Sequence, residues 1–221
     1  FLTTLRRLLE TKGDDVSPLD GKALVAKKVR AWCAMACRFP DGEEYNSKAD
    51  AESSRIAFGD WPTPIYFLDY MYGKDVRCGR PAARLADGGN PVREVFSRAL
   101  KAYGEWDTGH PSWDELAVLA AVRGPERHFG TRRGRFTIVN ERGANHWEDD
   151  PNGNHYLLTV RTDRRAMADI IDELICREPK SGAAEAYDVA AYVWPAYQPE
   201  RRWAELGIFE KGMGEWQNVQ E

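Results

Sequence analysis

Val29-Arg30-Ala31-Trp32-Cys33-Ala34-Met35-Ala36 is the stretch from which the fold reads outward. It is apolar apart from a single arginine, and it is short enough for a strand buried on both faces. A second such run, Ile65-Tyr66-Phe67-Leu68, follows a helical segment over 49–58 that Pro62 and Pro64 stop. Upstream, Leu2, Leu5 and Leu9 recur at helical spacing, and 13–21 is rich in turn formers. Downstream, Asn90-Pro91 opens a helix running to about residue 103. Ser112-Trp113-Asp114-Glu115 has the form of a capping box ahead of the apolar run 116–122. Residues 136–139 and 156–160 read as a strand pair joined by the Asn-, Gly-, Asp- and Pro-rich segment 141–154. A helix over 162–177 places Met167, Ile170, Ile171 and Leu174 on one face. Buried strands alternating with helices predict an α/β domain with a mostly parallel sheet and flanking helices.

Composition narrows the function classes. The 221 residues are 43 % hydrophobic and 11 % aromatic, enough for a packed core. Lys and Arg number 31 against 35 for Asp and Glu, a net charge of −4. A protein that lives on phosphate backbones carries a basic excess, so nucleic acid is not the expected partner. The longest apolar run has seven residues, too few to span a membrane. Cys33, Cys37, Cys78 and Cys176 form no paired zinc pattern, and they read as free thiols of a reducing, cytoplasmic compartment. The chain begins at Phe1 rather than Met, which suggests a fragment.

Two places carry candidate chemistry. Glu44 and Asn46, in Gly42-Glu43-Glu44-Tyr45-Asn46, follow the first buried strand. A carboxylate and an amide two residues apart in extended chain face the same way and suit vicinal hydroxyls, although taken alone these residues read more simply as a solvated polar loop. Asp114 sits in the first turn of the capped helix, either as an acid favoured by the helix dipole or as a hard ligand for a cation or hydroxyl. His110, His128, His146 and His155 are scattered and read as structural or surface residues. Arg132-Arg133-Gly134-Arg135 reads as a solvated turn, and Trp147-Glu148-Asp149-Asp150 as part of a turn closed by Pro151-Asn152-Gly153.

Taken in order, several of these pieces resemble the inosine-uridine nucleoside hydrolase family over about residues 1–178. They are Phe1-Leu2-Thr3-Thr4-Leu5, the strand ending near Met35, Phe39-Pro40-Asp41-Gly42-Glu43-Glu44-Tyr45-Asn46 and Trp61-Pro62-Thr63-Pro64-Ile65. Asn90-Pro91-Val92, Pro111-Ser112-Trp113-Asp114 and Gly143-Ala144-Asn145-His146-Trp147 follow in the same order. The resemblance implies a glycosidase that cleaves the N-glycosidic bond of purine or pyrimidine ribonucleosides in salvage, with Ca²⁺ at the pocket floor. It implies that Thr3, through its carbonyl, and Asp114 bind Ca²⁺, with Asp114 catalytic. It further implies that Glu44 and Asn46 hold the ribose, that Met35 lies at the floor and that Trp113 stacks on the leaving base or packs in the core. The partner implied is a small nucleoside or sugar; oligomeric state stays open.

The chain also departs from that pattern. The family's Asp-x-Asp-x-x-x-Asp-Asp segment, which supplies the remaining metal carboxylates and the general base, is absent. Ala36 and Cys37 replace a Gly-Gly, and Met71 stands where relatives often carry glutamate. The expectation is therefore a truncated hydrolase domain of little activity or, alternatively, a degenerate nucleoside- or sugar-binding module. After a linker at 179–186, Ala190-Ala191-Tyr192-Val193-Trp194-Pro195-Ala196-Tyr197 and Gly214-Glu215-Trp216 resemble the opening of the endo-α-mannosidase-like glycoside hydrolases. That implies the start of a second, (β/α)₈-barrel domain over 187–221.

Overall fold

The computed structural model describes residues 1–86 and 90–177, together with three short strands at 189–191, 207–210 and 217–218. The chain divides into two compact units, Phe1–Cys176 and Arg177–Glu221. The second unit contains an antiparallel trio, Val189–Ala191, Gly207–Glu210 and Gln217–Asn218. The linker expected at 179–186 and most of the following apolar run lie outside the described residues.

The first unit opens with helices α1 (Leu2–Glu10) and α2 (Gly21–Lys28), the latter capped by the Asp20 carboxylate on the Ala23 N–H. Strand β1 (Trp32–Cys37) and the short β2 (Asp41–Glu43) lead into α3 (Tyr45–Ala49) and α4 (Ala51–Asp60). Next come β3 (Ile65–Asp69), α5 (Tyr70–Asp75), β4 (Arg77–Cys78), a 3₁₀ turn at Ala82–Arg84 and α6 (Pro91–Ala102). Strand β5 (His110–Pro111), α7 (Trp113–Arg123) and α8 (Pro125–His128) precede β6 (Phe129–Ile138), β7 (Ala144–Asp149), β8 (His155–Val160) and α9 (Arg164–Ile175).

The main sheet runs β1-β3-β8-β6-β7-β2. Only β1–β3 and β3–β8 pair parallel; β8–β6, β6–β7 and β7–β2 are antiparallel. The domain is thus mixed α/β, but the mostly parallel sheet is corrected to a mostly antiparallel one. The cause lies in two segments that read as turns. Arg132-Arg133-Gly134-Arg135 is the middle of β6, where solvent-facing arginines mask a ten-residue strand. The polar stretch 141–154 contains β7, whose alternation of buried Asn145 and Trp147 with exposed His146 and Glu148 is a strand period. Both segments of the expected strand pair are strands, but they do not pair with each other: β8 pairs with 129–134 of β6, whereas Phe136 lies opposite Trp147 of β7.

Strands β1 and β2 occupy opposite ends of the sheet order, yet residues 38–40 alone connect them. Such a connection spans at most about 14 Å, so the sheet must curl until its two ends approach. Asn145 on β7 closes the gap: its Nδ2 donates to the Arg38 carbonyl and its Oδ1 accepts the Arg38 N–H, both at 2.9 Å. The Trp147 N–H donates to the Pro40 carbonyl at 2.9 Å.

Alternation along the central strands divides the interior into two cores. Ala34, Ala36, Ile65, Phe67, Phe136 and Leu157 face α1, α2 and α4, while Met35, Leu68 and Leu158 face α5, α7 and α9. In the first core the Phe67 and Phe136 rings stack at 4.2 Å, and Phe58 packs edge-on against both. Phe58 is 1 % exposed, and truncating such a ring to alanine costs about 3–5 kcal/mol. No helix among the described residues is long and apolar enough to cross a membrane.

Candidate functional site: the crevice at the ends of β1 and β3

Parallel strands direct their C-terminal ends to one edge, where loops carry side chains past the sheet. Here β1 ends at Cys37 and β3 at Asp69, opposite one another. Around that edge lie α3, the start of α5 and the start of α7, which packs on β1, β3 and α5.

Glu44 is buried, 3 % exposed, and it caps α3. Its Oε2 accepts the Asn46 N–H at 2.7 Å and the Ser47 N–H at 3.2 Å. Burial pushes its pKa up, with Asp114 adding to the push and the N–H groups of Ser47, Asn46 and Tyr45 opposing it. Asn46 lies in the first turn of α3 rather than in extended chain, so the pair do not face the same way by strand alternation. Instead, helix geometry turns the Asn46 amide back onto β1, where Nδ2 donates to the Met35 carbonyl at 2.9 Å and lies 3.8 Å from Met35 Sδ. Ser47 completes the attachment, its hydroxyl donating to the Ala36 carbonyl at 2.7 Å.

Trp113 and Asp114 open α7. The expected capping box does not form: Ser112 makes no side-chain cap bond, and its hydroxyl donates to Cys78 Sγ at 2.7 Å. Trp113 Nε1 donates to the Tyr70 carbonyl at 3.0 Å, and its ring stacks on Tyr70 at 5.3 Å. Its other ring neighbour is His110, edge-on at 6.0 Å, whose Nδ1 is 2.5 Å from Glu105. The indole is therefore partly built into the wall. Asp114 is exposed, within electrostatic reach of both Glu44 and Glu115. Burial also raises the pKa of Glu115, and Asp114 adds to it.

Three further residues belong to this edge. Asp69, at the end of β3, accepts the N–H of Phe39 at 2.9 Å and of Met71 at 3.1 Å, so it fixes the β1–β2 connection and starts α5 together. Burial raises its pKa, while those N–H groups and Arg38 pull it down. The Arg38 guanidinium lies 4.8 Å over the Tyr70 ring. Cys37, fully buried, has its thiol pushed well above the ordinary range by burial first and by Asp69 and Glu44 second. A polar residue directly after a buried apolar run is the signal by which Asp69 could have been found. Arg38 and Tyr70 carry no such signal, because only the closed sheet brings them together.

Of the six predicted residues, Met35, Glu44, Asn46, Trp113 and Asp114 gather at this edge. Thr3 does not. It lies within α1, its carbonyl inside the helical ladder and its hydroxyl donating to Asp50 at 2.6 Å. Helix α1 covers the opposite face of the sheet from α7. Calcium takes six to eight oxygens. Among the described residues no three His, Cys, Asp or Glu side chains are grouped to hold a metal, and Thr3 and Asp114 lie on helices that cover opposite faces of the sheet. The two residues that the resemblance assigns to Ca²⁺ are thus not brought together. No family model matches the sequence, and no curated protein matches it.

Proposed function

We propose that the crevice binds a nucleoside or a related sugar in the manner of inosine-uridine nucleoside hydrolases, with Glu44 and Asp114 as its polar poles. The observation that carries this reading is the convergence, from segments seventy residues apart, of a buried carboxylate and an exposed one beside an aromatic pair. Carboxylates accept from vicinal hydroxyls, and Asn46 offers its Oδ1 while its Nδ2 is held by Met35. Tyr70 and Trp113 supply flat apolar surface at the same rim, suited to a base.

The binding-module form of this reading needs no calcium shell, and the described residues group no three candidate ligands. A hydrolase reading keeps one observation in its favour: two carboxylates in unlike environments, one buried and one exposed, are what acid–base division requires. The test is calorimetric titration with inosine, uridine, free ribose and free base, alongside chromatography for released base with and without added Ca²⁺. Nucleoside binding that weakens about tenfold in Asp114→Asn supports the site. Base release absent from Asp114→Asn selects the hydrolase, and binding without release selects the module. Failure of every nucleoside and sugar to bind overturns both.

A further inference from the structure

On the same sheet face, beyond the far end of α5, lies a second concavity of about 860 Å³, a volume that suits a small molecule. It opens between the segment from α5 to the 3₁₀ turn and the N-terminal half of α9. Five arginines and four aspartates line it. In a chain of net charge −4, so many guanidinium groups on one cleft is the feature to explain.

Most of these charges are already committed. Arg77 is fixed by the Gly109 carbonyl at 2.7 Å and by Glu105 at 3.2 Å, and so forms a rigid wall. Arg84 lies over the Trp106 ring at 4.7 Å and donates to the Trp106 carbonyl at 3.2 Å. Arg164 meets Asp75 at 3.5 Å. Among the aspartates, Asp163 caps α9 through the N–H groups of Arg165 and Ala166, and Asp172 accepts the Gly79 N–H at 2.6 Å. Three side chains are left over. Arg80 and Arg165 are exposed and form no ion pair within 4 Å among the described residues, although Arg80 acts on Asp172 electrostatically; Asp169 makes no hydrogen bond or ion pair among them and is felt by Asp172 only as a like charge.

Two guanidinium groups that line one cleft without an ion-pair partner within 4 Å offer the donors that a phosphate monoester takes. A bare anion would be opposed by the neighbouring carboxylates, whereas a ligand that also carries hydroxyl groups gives Asp169 a donor to accept from. We propose that this cleft is a binding site for a sugar phosphate, with Arg80 and Arg165 on the phosphate and Asp169 on a hydroxyl. It is independent of the crevice at the ends of β1 and β3.

The experiment is calorimetric titration of the full chain with ribose 5-phosphate, with inorganic phosphate and with ribose. Ribose 5-phosphate should bind saturably at about 0.1–1 mM, inorganic phosphate about tenfold more weakly, and ribose not measurably at this cleft. The double variant Arg80→Gln/Arg165→Gln should lose about tenfold or more of the ribose 5-phosphate affinity with its melting temperature unchanged, since both side chains are exposed. Arg80→Lys/Arg165→Lys, which keeps the charge and loses the forks, should fall between. Absence of saturation, equal affinity for inorganic phosphate, or undiminished binding in the Gln double variant each overturns the proposal.

Discussion

Replacing Asn145 with alanine should destabilise the protein by about 2–6 kcal/mol, more than an asparagine with as many backbone bonds at the surface. Asn145 is 1 % exposed, and its amide satisfies both the N–H and the carbonyl of Arg38 at 2.9 Å. The contact to the Pro40 carbonyl, at 3.5 Å, is too long to add much. Truncation strands two part-buried backbone groups of Arg38, at about 1–3 kcal/mol each. Asn140 is the internal comparison. Its Oδ1 accepts the N–H of Arg142 at 3.0 Å and of Ala144 at 3.1 Å, but it is exposed, and water replaces what Asn140→Ala removes. That variant should cost about 0.5–1.5 kcal/mol. Urea unfolding followed by tryptophan fluorescence measures both, with the slope against denaturant unchanged if the denatured state is unaltered. Because Asn145 ties β7 to the β1–β2 connection, and Glu44 directly follows β2, its loss should also weaken nucleoside binding at the crevice. A cost for Asn145→Ala within about 0.5 kcal/mol of that for Asn140→Ala would refute the view that the sheet's curl hangs on this amide.

Other outcomes follow from single groups. The His155 ring accepts the Phe136 N–H at 2.9 Å, and burial lowers its pKa to about 4, from 6.5. The folded state thus holds a neutral ring, so its contribution is complete above the unfolded pKa and is lost as pH falls toward about 4, by roughly 3 kcal/mol. Unfolding curves across that range should be flatter for His155→Gln, and a parallel pair of curves would contradict the assignment. Glu44 has the opposite sign: its pKa is raised, so its ionised form costs stability at neutral pH and the cost fades as pH falls toward 4.5. Glu44→Gln, which keeps an acceptor for the α3 cap, should match or exceed wild-type stability at neutral pH; a clear loss by thermal melting counts against it. Gly73→Ala should destabilise despite its better helix propensity, by about 1–3 kcal/mol, because its Cβ would meet Trp113, whose Cα would lie 3.0 Å away. An unchanged melting temperature there would mean that α5 and α7 pack loosely.

The sequence by itself determined the elements whose pattern is local. The β1 and β3 runs, the α6 start at Asn90-Pro91 and the apolar face of α9 form where their residues predict, because burial on both faces or on one stripe leaves a period that neighbours do not alter. It also pointed to Glu44, Asn46, Met35, Trp113 and Asp114, which do meet at one sheet edge. Tertiary structure decided the rest. Strand β6 carries three arginines in a row of four residues and β7 sits in a stretch rich in turn formers, so their strand state depends on pairing partners rather than on their own preference. The same pairing turned a sheet expected to be mostly parallel into a curled, mostly antiparallel one. Ser112 reads as a cap but spends its hydroxyl on Cys78, and Thr3 reads as a neighbour of Asp114 but is carried to the other face by α1. Periodicity fixes which side of an element is buried; which faces meet across the sheet is fixed only when the whole core closes.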